Sequence, residues 1–212
     1  MVAQQTADVI YLGSALSLRG TRMHFERNEE IFGEGEASEY LYRVVSGAVR
    51  TMRFTSDGRR QILGFHLPGD VFGVELGASH SLTAEALSST EVVVVRRSLL
   101  EKAASEDPKA ALSWLEYAAR TLDEMRDHAL ILGRKGAGER VAAFLLSISR
   151  RLVHGQDFDL PMSRADIADY LGLTIETVSR SFTEMERQCA IDLPSSRHVV
   201  MRNPSTLALA AA

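Results

Sequence analysis

The stretch from Met162 to Cys189 constrains the fold more than any other part of the chain, because it has the pattern of two short helices joined by a tight turn. Ser163 is a natural N-cap, and Asp166, three residues later, completes a capping-box spacing. Gly172 can take the positive φ that a sharp reversal needs, and Thr174 is a second N-cap. The pattern predicts a helix-turn-helix.

The second predicted helix has an apolar face and an open polar face. The apolar face is predicted to bury Val178, Phe182 and Met185, and the open face carries Glu176, Ser179 and Arg180. These polar types can read base edges: Arg forks onto guanine, a carboxylate accepts from cytosine N4, and Ser serves either partner. Each good bidentate contact contributes about 1–3 kcal/mol of discrimination. An ordinary solvated helix face is the alternative, and spacing alone does not separate the two.

These residues resemble the winged helix-turn-helix of the CRP/FNR superfamily of bacterial transcription regulators. The string from Leu173 to Arg180 is similar to the FNR and FixK branch, in which the Glu, Ser and Arg of E-x-x-S-R contact bases. The resemblance implies those roles for Glu176, Ser179 and Arg180. CRP has an Arg where this chain has Ile175, and an aliphatic side chain cannot donate to guanine. The resemblance therefore implies an FNR-like palindrome, TTGAT-N4-ATCAA, rather than the TGTGA half-site of CRP.

Length and composition are those of an ordinary globular protein with room for two modest domains. The chain has 212 residues, of which 45% are hydrophobic and 25% charged. No apolar run is long enough to span a bilayer, and the N-terminus lacks the layout of a signal peptide, so we expect a cytoplasmic protein without a membrane partner.

Cysteine and histidine usage predicts no metal and no other cofactor. A single Cys excludes an internal disulfide framework and the four-Cys iron–sulfur site of the FNR oxygen sensor. Haem ligation by a histidine is left open, but the histidines lack metal spacing: His24, His66, His80, His128, His154 and His198. A cupin-type enzyme would need a His/Glu metal set on facing strands, so no catalytic residue is predicted.

Charge is divided unevenly along the chain. The net charge is −4, but residues 134–212 carry ten Arg/Lys against nine Asp/Glu, while residues 1–133 carry fourteen against nineteen. The C-terminal part is thus only weakly basic for a DNA-binding domain. This balance predicts clustered basic residues and binding as a dimer.

Before the helical part, residues 23–97 show short β-branched runs punctuated by turn signals such as Asp57-Gly58. They resemble the jelly-roll sensor domain of the same superfamily. The predicted fold class is α+β: an antiparallel, cyclic-nucleotide-binding-like β-roll (1–106), a dimerisation helix (107–133) and a winged helix-turn-helix domain (134–212). Residues 1–20 carry few signals and predict a loosely held arm or short helix.

The sensor-like domain departs from CRP at its ligand cassette. CRP places an Arg-Ser pair on the phosphate and a Glu on the ribose; this chain keeps Glu75, but residues 79–86 contain no Arg or Lys. A buried phosphate without a cation would be under-compensated. We expect no cAMP binding and a structural or solvated role for Glu75. The FixK-type resemblance also implies control through synthesis rather than an effector.

A long helix is predicted from Asp107-Pro108 to Leu132, with apolar residues at alternating steps of four and three. The seam residues are Ala111, Leu115, Ala118, Leu122, Met125, Ala129 and Leu132. The seam favours a parallel homodimeric coiled coil over a helix packed only on its own β domain, with Trp114 and Tyr117 packing inward on a flank. Twofold symmetry would place two reading helices about 34 Å apart on a palindrome.

The remaining C-terminal segments complete the predicted DNA-binding domain. Residues 133–138, with three glycines, predict a hinge outside any helix interior. A helix over 139–152, a strand over 156–160, paired wing strands over 190–193 and 198–201, and a frayed tail or short helix after 205 are expected. Candidate phosphate contacts stand at helix starts and at the wing tip: Ser163, Thr174, Thr177 and Arg197.

Cys189 stands where relatives usually carry a helix-ending Gly. A non-Gly residue at positive φ costs on the order of 1 kcal/mol, so either the helix ends differently or strain is accepted. The thiol is either half-buried and packed, or a redox-sensitive group beside DNA whose oxidation weakens binding.

The resulting functional prediction is a homodimeric activator that binds double-stranded DNA and recruits RNA polymerase. The resemblance to the FixK branch implies a role in low-oxygen and nitrogen-fixation genes. The alternative is a ligand-gated regulator whose DNA binding needs an unidentified small effector.

Overall fold

The computed structural model describes residues 8–75, 77–134, 136–152 and 155–210, so Lys135 of the predicted hinge and His154 lie outside it. The chain forms two compact units. One comprises Met1–Asp57 and Leu63–Met125, and the other Gly58–Ile62 and Arg126–Ala212. Among the described residues, no helix is both long enough and apolar enough to cross a bilayer, and no cluster of three metal-ligating side chains occurs.

Antiparallel pairing dominates the first unit, as predicted for a β-roll. The strands are β1 Val9–Leu12, β2 Leu16–Arg19, β3 Thr21–Phe25, β4 Glu30–Phe32, β5 Tyr40–Ser46, β6 Val49–Phe54, β7 Arg60–His66, β8 Val71–Phe72, β9 Thr83–Ala86 and β10 Thr90–Arg96. Two four-stranded sheets have the orders β3-β10-β5-β8 and β4-β9-β6-β7, beside the hairpin β1-β2. β7 begins in the Gly58–Ile62 segment of the other unit.

The prediction of a loosely held arm or short helix over residues 1–20 is wrong for residues 9–19, while residues 1–7 lie outside the described part of the chain. Val9–Leu12 and Leu16–Arg19 pair as a hairpin that turns at Gly13, with φ of +72°. Ile10 and Leu12 are fully buried in one cluster with Leu100 and Ala110. Each strand has only two inward-facing residues, so the period-two signal is too short to be recognised in the sequence. These two short strands form a hairpin because their apolar residues are buried against the rest of the unit.

The helices of the described chain follow β10 or lie between the C-terminal strands: α1 Arg97–Glu106, α2 Pro108–Arg134, α3 Ala137–Arg151, α4 Arg164–Leu171, α5 Ile175–Arg187 and α6 Pro204–Ala210. α1 was not predicted, while α6 matches the alternative of a short final helix. Its Leu207 is fully buried.

The predicted hinge is shorter than the glycine-rich sequence suggested. Gly133 lies inside α2 and Gly138 inside α3, so the expectation that these glycines exclude a helix interior is wrong. Gly136 is the N-cap of α3, and its N–H donates to Glu139 Oε2 at 2.6 Å. This cap satisfies an amide at the helix start and moves the start of α3 to Ala137.

Strands β11 Asp157–Asp159, β12 Ile191–Asp192 and β13 His198–Met201 form the small sheet of the second unit, in the order β11-β13-β12. Ile191 faces Met201 across the wing, as expected from the alternation of those segments. The predicted strand before the helix-turn-helix and the two wing strands are therefore present.

Candidate nucleic-acid interface

The first helix of the helix-turn-helix begins with the predicted capping box. Ser163 has extended backbone angles, and its Oγ accepts from the Asp166 N–H at 3.1 Å. Asp166 Oδ2 in turn accepts from the Ser163 N–H at 2.9 Å and from its hydroxyl at 2.7 Å. The helix ends at Gly172, with φ of +63°, where a left-handed residue turns the chain toward α5.

The second helix is fixed by its cap and its buried face. The Thr177 N–H donates to Thr174 Oγ1 at 3.2 Å, and the two hydroxyl oxygens lie 3.0 Å apart. The three residues predicted to be inside are all buried: Val178, Phe182 and Met185. The orientation of α5 is thus set by one apolar stripe and a satisfied N-terminus.

The predicted base-reading residues share the exposed face of α5. Glu176, Ser179 and Arg180 are all exposed, and Arg180 Nε donates to the Glu176 carbonyl at 3.4 Å. The pKa of Glu176 is lowered, first by its own backbone N–H, then by the Thr174 hydroxyl and the Arg180 charge. Its ionised carboxylate is an acceptor only, which suits the amino group of cytosine.

The candidate phosphate contacts differ in whether their hydrogen-bond donors already bond to other groups of the protein. Thr174 and Thr177 stand together at the start of α5. Arg197 is half-buried at the wing, with Nη1 3.4 Å from the Pro161 carbonyl oxygen. Ser163 is half-buried, and its hydroxyl hydrogen is donated to Asp166.

Arg164 is a cation of this surface that sequence reasoning missed. Its guanidinium carbon lies 3.1 Å from the centroid of the Phe182 ring, and among the described residues its buried Nη1 has no hydrogen-bond partner. Burial lowers the pKa of Arg164 to about 10, so the group still carries its charge at neutral pH. Its position directly after the N-cap is the only feature of the sequence that points to Arg164. Its contact with Phe182 depends on how the two helices pack, which the sequence does not show.

Near the wing, acidic side chains contact a histidine or an arginine. His198 lies between two carboxylates of β11, with Nε2 3.0 Å from Asp157 and Nδ1 2.9 Å from Asp159. Arg202 pairs with Asp192 on the neighbouring strand. These contacts hold the ends of the sheet together and occupy several of the acidic groups that would oppose DNA.

Cys189 ends α5 in a left-handed conformation, with φ of +54°. Its N–H donates to the Glu186 carbonyl at 2.9 Å, and the Ala190 N–H donates to the Met185 carbonyl at 3.0 Å. This is a Schellman motif built on a non-Gly residue, so the strain is accepted rather than avoided. The thiol is exposed, and the half-buried packing alternative is therefore wrong.

Helix α2 has a packed side and an apolar exposed side. On the packed side, the Tyr117 hydroxyl donates to the Val71 carbonyl at 3.0 Å and the ring stacks with Trp114, as predicted for that flank. Along the predicted seam, Leu115, Leu122 and Met125 are 63%, 48% and 64% exposed. Ala118 and Ala129 are also exposed, whereas Ala111 and Leu132 are half-buried.

Two family models match the chain: a cyclic nucleotide-binding domain over residues 22–107 and a Crp-like helix-turn-helix domain over residues 139–210. The nitrogen fixation regulation protein FixK of Azorhizobium caulinodans is 48% identical over 193 residues, which cover 89% of this chain and 78% of that relative. The chain belongs to the FixK group of the CRP/FNR family.

Other FixK proteins agree with this assignment. The FixK nitrogen fixation regulation protein of Rhizobium meliloti is 40% identical over 205 residues, covering 96% of this chain and 93% of the relative. The structure of FixK2 from Bradyrhizobium japonicum superposes with a TM-score of 0.89 at 50% identity, covering 92% of this chain and 98% of that one. The predicted α+β fold and the prediction of a FixK-type transcription regulator, rather than an enzyme, are confirmed.

Proposed function

We propose that this FixK-type regulator binds TTGAT-N4-ATCAA as a homodimer and activates transcription by recruiting RNA polymerase. The observation that carries the proposal is the exposed face of α5, where Glu176, Ser179 and Arg180 project together from a helix anchored by a buried apolar stripe. Glu176 accepts from cytosine N4, Arg180 donates to guanine O6 and N7, and Ser179 serves either base partner.

Phosphate contacts fix the register of the reading helix without selecting sequence. Thr174 and Thr177 supply hydroxyl groups at the start of α5, and Arg197 supplies a cation from the wing. Ser163 can donate to phosphate once its hydroxyl hydrogen turns away from Asp166, which its present hydrogen bond opposes.

The homodimer rests on the exposed apolar side of α2. Leucine and methionine side chains about half exposed or more, at alternating steps of four and three, favour burial against a second copy of the same helix. A parallel pair would present two α5 helices to the two halves of a palindrome.

Effector independence rests on the lack of a cation for a phosphate in the ligand cassette. Glu75 Oε1 already accepts from the Ser81 N–H at 3.0 Å and from its hydroxyl at 2.9 Å. The largely buried Arg50 is paired with Glu85, its Nε 3.1 Å from the carboxylate. Since residues 79–86 add no cation, these groups do not fit a cyclic nucleotide.

A ligand-gated regulator remains the second candidate because the first unit contains a cavity of about 250 Å³. Its walls are apolar at Leu41, Val74 and Trp114, with Arg97 and Glu101 at the polar part. A small effector seated there would gate DNA binding.

The first experiment is fluorescence anisotropy with the purified, reduced, full-length protein and no added nucleotide or metal. Three duplexes are compared at one salt concentration: TTGAT-N4-ATCAA, a TGTGA palindrome and a scrambled control. Tight binding to the first alone supports an effector-independent FixK-type dimer. Equal weak binding to all three supports the ligand-gated alternative or a different half-site.

The redox hypothesis for Cys189 is retained as a proposal, supported by the exposure of the thiol at the end of α5. Oxidation would convert the thiol into a larger polar or charged group. Wild type should then lose affinity for the TTGAT duplex under peroxide, while Cys189→Ser keeps it. Equal loss in both proteins would show that another group is oxidised.

A further inference from the structure

Helix α4 is bound by two side chains of the Gly58–Ile62 segment, which belongs to the same compact unit. Arg60 Nη2 lies 2.8 Å from Asp166 Oδ1 and 2.7 Å from Asp169 Oδ2, and its Nε donates to Asp169 Oδ2 at 2.8 Å. Gln61 Nε2 donates to the Asp169 backbone carbonyl at 2.7 Å. One guanidinium thus bridges two carboxylates that stand three residues apart on α4.

The carboxylate of Asp166 has two tasks at once. Its Oδ2 closes the capping box with Ser163, and its Oδ1 accepts from Arg60. Asp166 is only 4% exposed, so its charge is largely removed from water. A buried carboxylate needs both a cation and hydrogen-bond donors, and loss of one partner leaves it poorly compensated. Arg60 supplies the cation.

Other contacts hold the far end of α4. Arg140 Nη1 donates to the Leu171 carbonyl at 2.9 Å, which satisfies an acceptor of the last turn. The ring of His128 stacks on Tyr170 with centroids 4.1 Å apart. Arg60 is therefore the cation that pairs with Asp166 near the N-terminal end of a helix whose C-terminal end is already held.

The position of α4 determines that of the reading helix. Arg164, the first residue of α4, lies over the ring of Phe182, a fully buried anchor of α5. The short link Gly172–Thr174 leaves little slack between the helices. A shift in the first turn of α4 would be passed to α5 through this contact.

We propose that Arg60 is a positioning residue for DNA recognition: by bridging Asp166 and Asp169 it fixes α4, and through α4 the reading face of α5, without itself contacting DNA. The inference rests on the proposed function, because it assigns Arg60 a role in sequence reading. It predicts that Arg60 affects specific affinity but makes no contribution to phosphate binding.

The test compares Arg60→Ala with Arg59→Ala, which removes the same charge from the exposed neighbouring residue. Affinities of the full-length proteins for the TTGAT palindrome and the scrambled duplex are measured over a salt series, below the unfolding midpoint of each variant. Arg60→Ala should lose about tenfold or more in specific affinity, because its charge-assisted hydrogen bonds to α4 are removed. Scrambled binding and the salt slope should match those of Arg59→Ala.

Two results would overturn the proposal. If specific affinity falls no further in Arg60→Ala than in Arg59→Ala, Arg60 does not position the reading face. If the slope of log K against log salt becomes shallower in Arg60→Ala, by about 0.9 per phosphate group that Arg60 neutralises, Arg60 binds phosphate directly.

A double-mutant comparison tests whether Arg60 acts on α4 through Asp169. Asp169→Asn removes one carboxylate while leaving the capping box of Asp166 in place. If Arg60 acts through Asp169, Arg60→Ala should cost less specific affinity in the Asp169→Asn background than in wild type. Full additivity of the two losses would contradict the proposed route.

Hydrogen exchange of the α4 amides tests the role of Arg60 independently of whether the proposed operator is correct. Exchange should be faster in Arg60→Ala than in wild type and unchanged in Arg59→Ala, even if wild type binds none of the duplexes. That combination would mean that the bridge from Arg60 holds α4 in place and that the proposed operator is wrong. Unchanged exchange in Arg60→Ala would show that the bridge does not hold α4.

Discussion

At the scale of single residues, the proposed preference for the TTGAT half-site makes the position before Glu176 decisive. Ile175 is exposed at the first position of α5, beside the three predicted base-reading residues. Its side chain has no donor, so it cannot add a contact to guanine. With an Arg at this position, the helix would have the residue that CRP has immediately before its Glu.

Ile175→Arg should therefore shift preference from the TTGAT palindrome toward the TGTGA palindrome. One new bidentate contact to guanine corresponds to about 1–3 kcal/mol, or roughly tenfold or more in the ratio of dissociation constants. Anisotropy titrations with both duplexes measure that ratio, and Ile175→Leu is the control because it adds no donor. An unchanged ratio in Ile175→Arg would contradict the proposed reading geometry.

His80 is a buried titratable group within an aromatic cluster of the first unit. It is 3% exposed and stacks on Phe32 with centroids 3.7 Å apart. Burial lowers the pKa of His80, against the weaker opposing effects of the Glu75 and Glu36 charges. In the described part of the chain its buried Nδ1 has no hydrogen-bond partner. The folded state therefore favours the neutral ring.

This environment predicts a loss of stability at mildly acidic pH. The unfolded chain takes up a proton on His80 near its ordinary pKa of about 6.5, while the folded chain does so only at lower pH. The free energy of unfolding is therefore fully retained above that pH and falls as pH decreases below it, by at most about 1.4 kcal/mol per pH unit. Urea unfolding at pH 7.5 and 5.5 measures the change.

His80→Phe keeps a ring against Phe32 and removes the titration, so its stability should fall less between the two pH values than that of wild type. His24→Gln, a change at an exposed histidine, serves as the control. If His80→Phe and wild type lose the same free energy, protonation of His80 does not contribute to acid destabilisation.

At the scale of elements, local signals were sufficient where a helix is defined by its own caps and face. Ser163, Gly172 and Thr174 lie where the sequence predicts them, and the buried stripe of α5 follows from its spacing. The hairpin β1-β2 could not be predicted in the same way, since its strands are held by burial against distant residues such as Ala110. Gly133 is helical in α2 although isolated glycines weaken helices.

The bridge from Arg60 to α4 likewise could not be predicted from the sequence, because its partners are distant in the chain. Asp166 could be identified as a capping residue because its partner is three positions away, but its cation is more than a hundred residues away in the chain. Such a long-range ion pair has no local signal. The exposure of the polar face of α5, by contrast, could be predicted from helical periodicity, whereas its base-reading role came from the family resemblance.

Helix α2 gives the prediction that belongs to this scale. Leu122→Glu places a charge on the exposed apolar seam, where it would be buried without a partner in a parallel dimer. The variant should be monomeric at concentrations at which wild type is dimeric, and it should lose most of its affinity for the palindrome. Sedimentation equilibrium and anisotropy measure the two effects.

The matched control for that experiment is Leu130→Glu. Leu130 is 55% exposed on the same helix but lies outside the predicted seam. It introduces the same charge, and the dimer should persist. Equal dissociation by both substitutions would contradict the assigned seam, and no dissociation by Leu122→Glu would contradict a dimer built on α2.

At the scale of the whole molecule, charge is the main constraint on DNA binding. The chain has a net charge of −4, and its C-terminal part is nearly balanced. Several acidic groups of that part are already paired, including Asp192 with Arg202 and Glu184 with Arg187. In the proposed dimer, cations outside such pairs would therefore have a large influence on binding, since each would occur twice in the phosphate footprint.

Arg197→Ala tests this dependence on the complete assembly. Each dimer would lose two phosphate contacts, so the slope of log K against log salt should become shallower by about 1.8, against about 0.9 for a single bound protomer. Specific and scrambled duplexes should weaken alike, because phosphate contacts do not select sequence. Arg202→Ala removes the same charge from an arginine that is paired with Asp192, and it should leave the slope nearly unchanged. A change in the ratio of specific to scrambled affinity would mean that Arg197 reads a base, and an unchanged slope would mean that the wing does not reach the backbone.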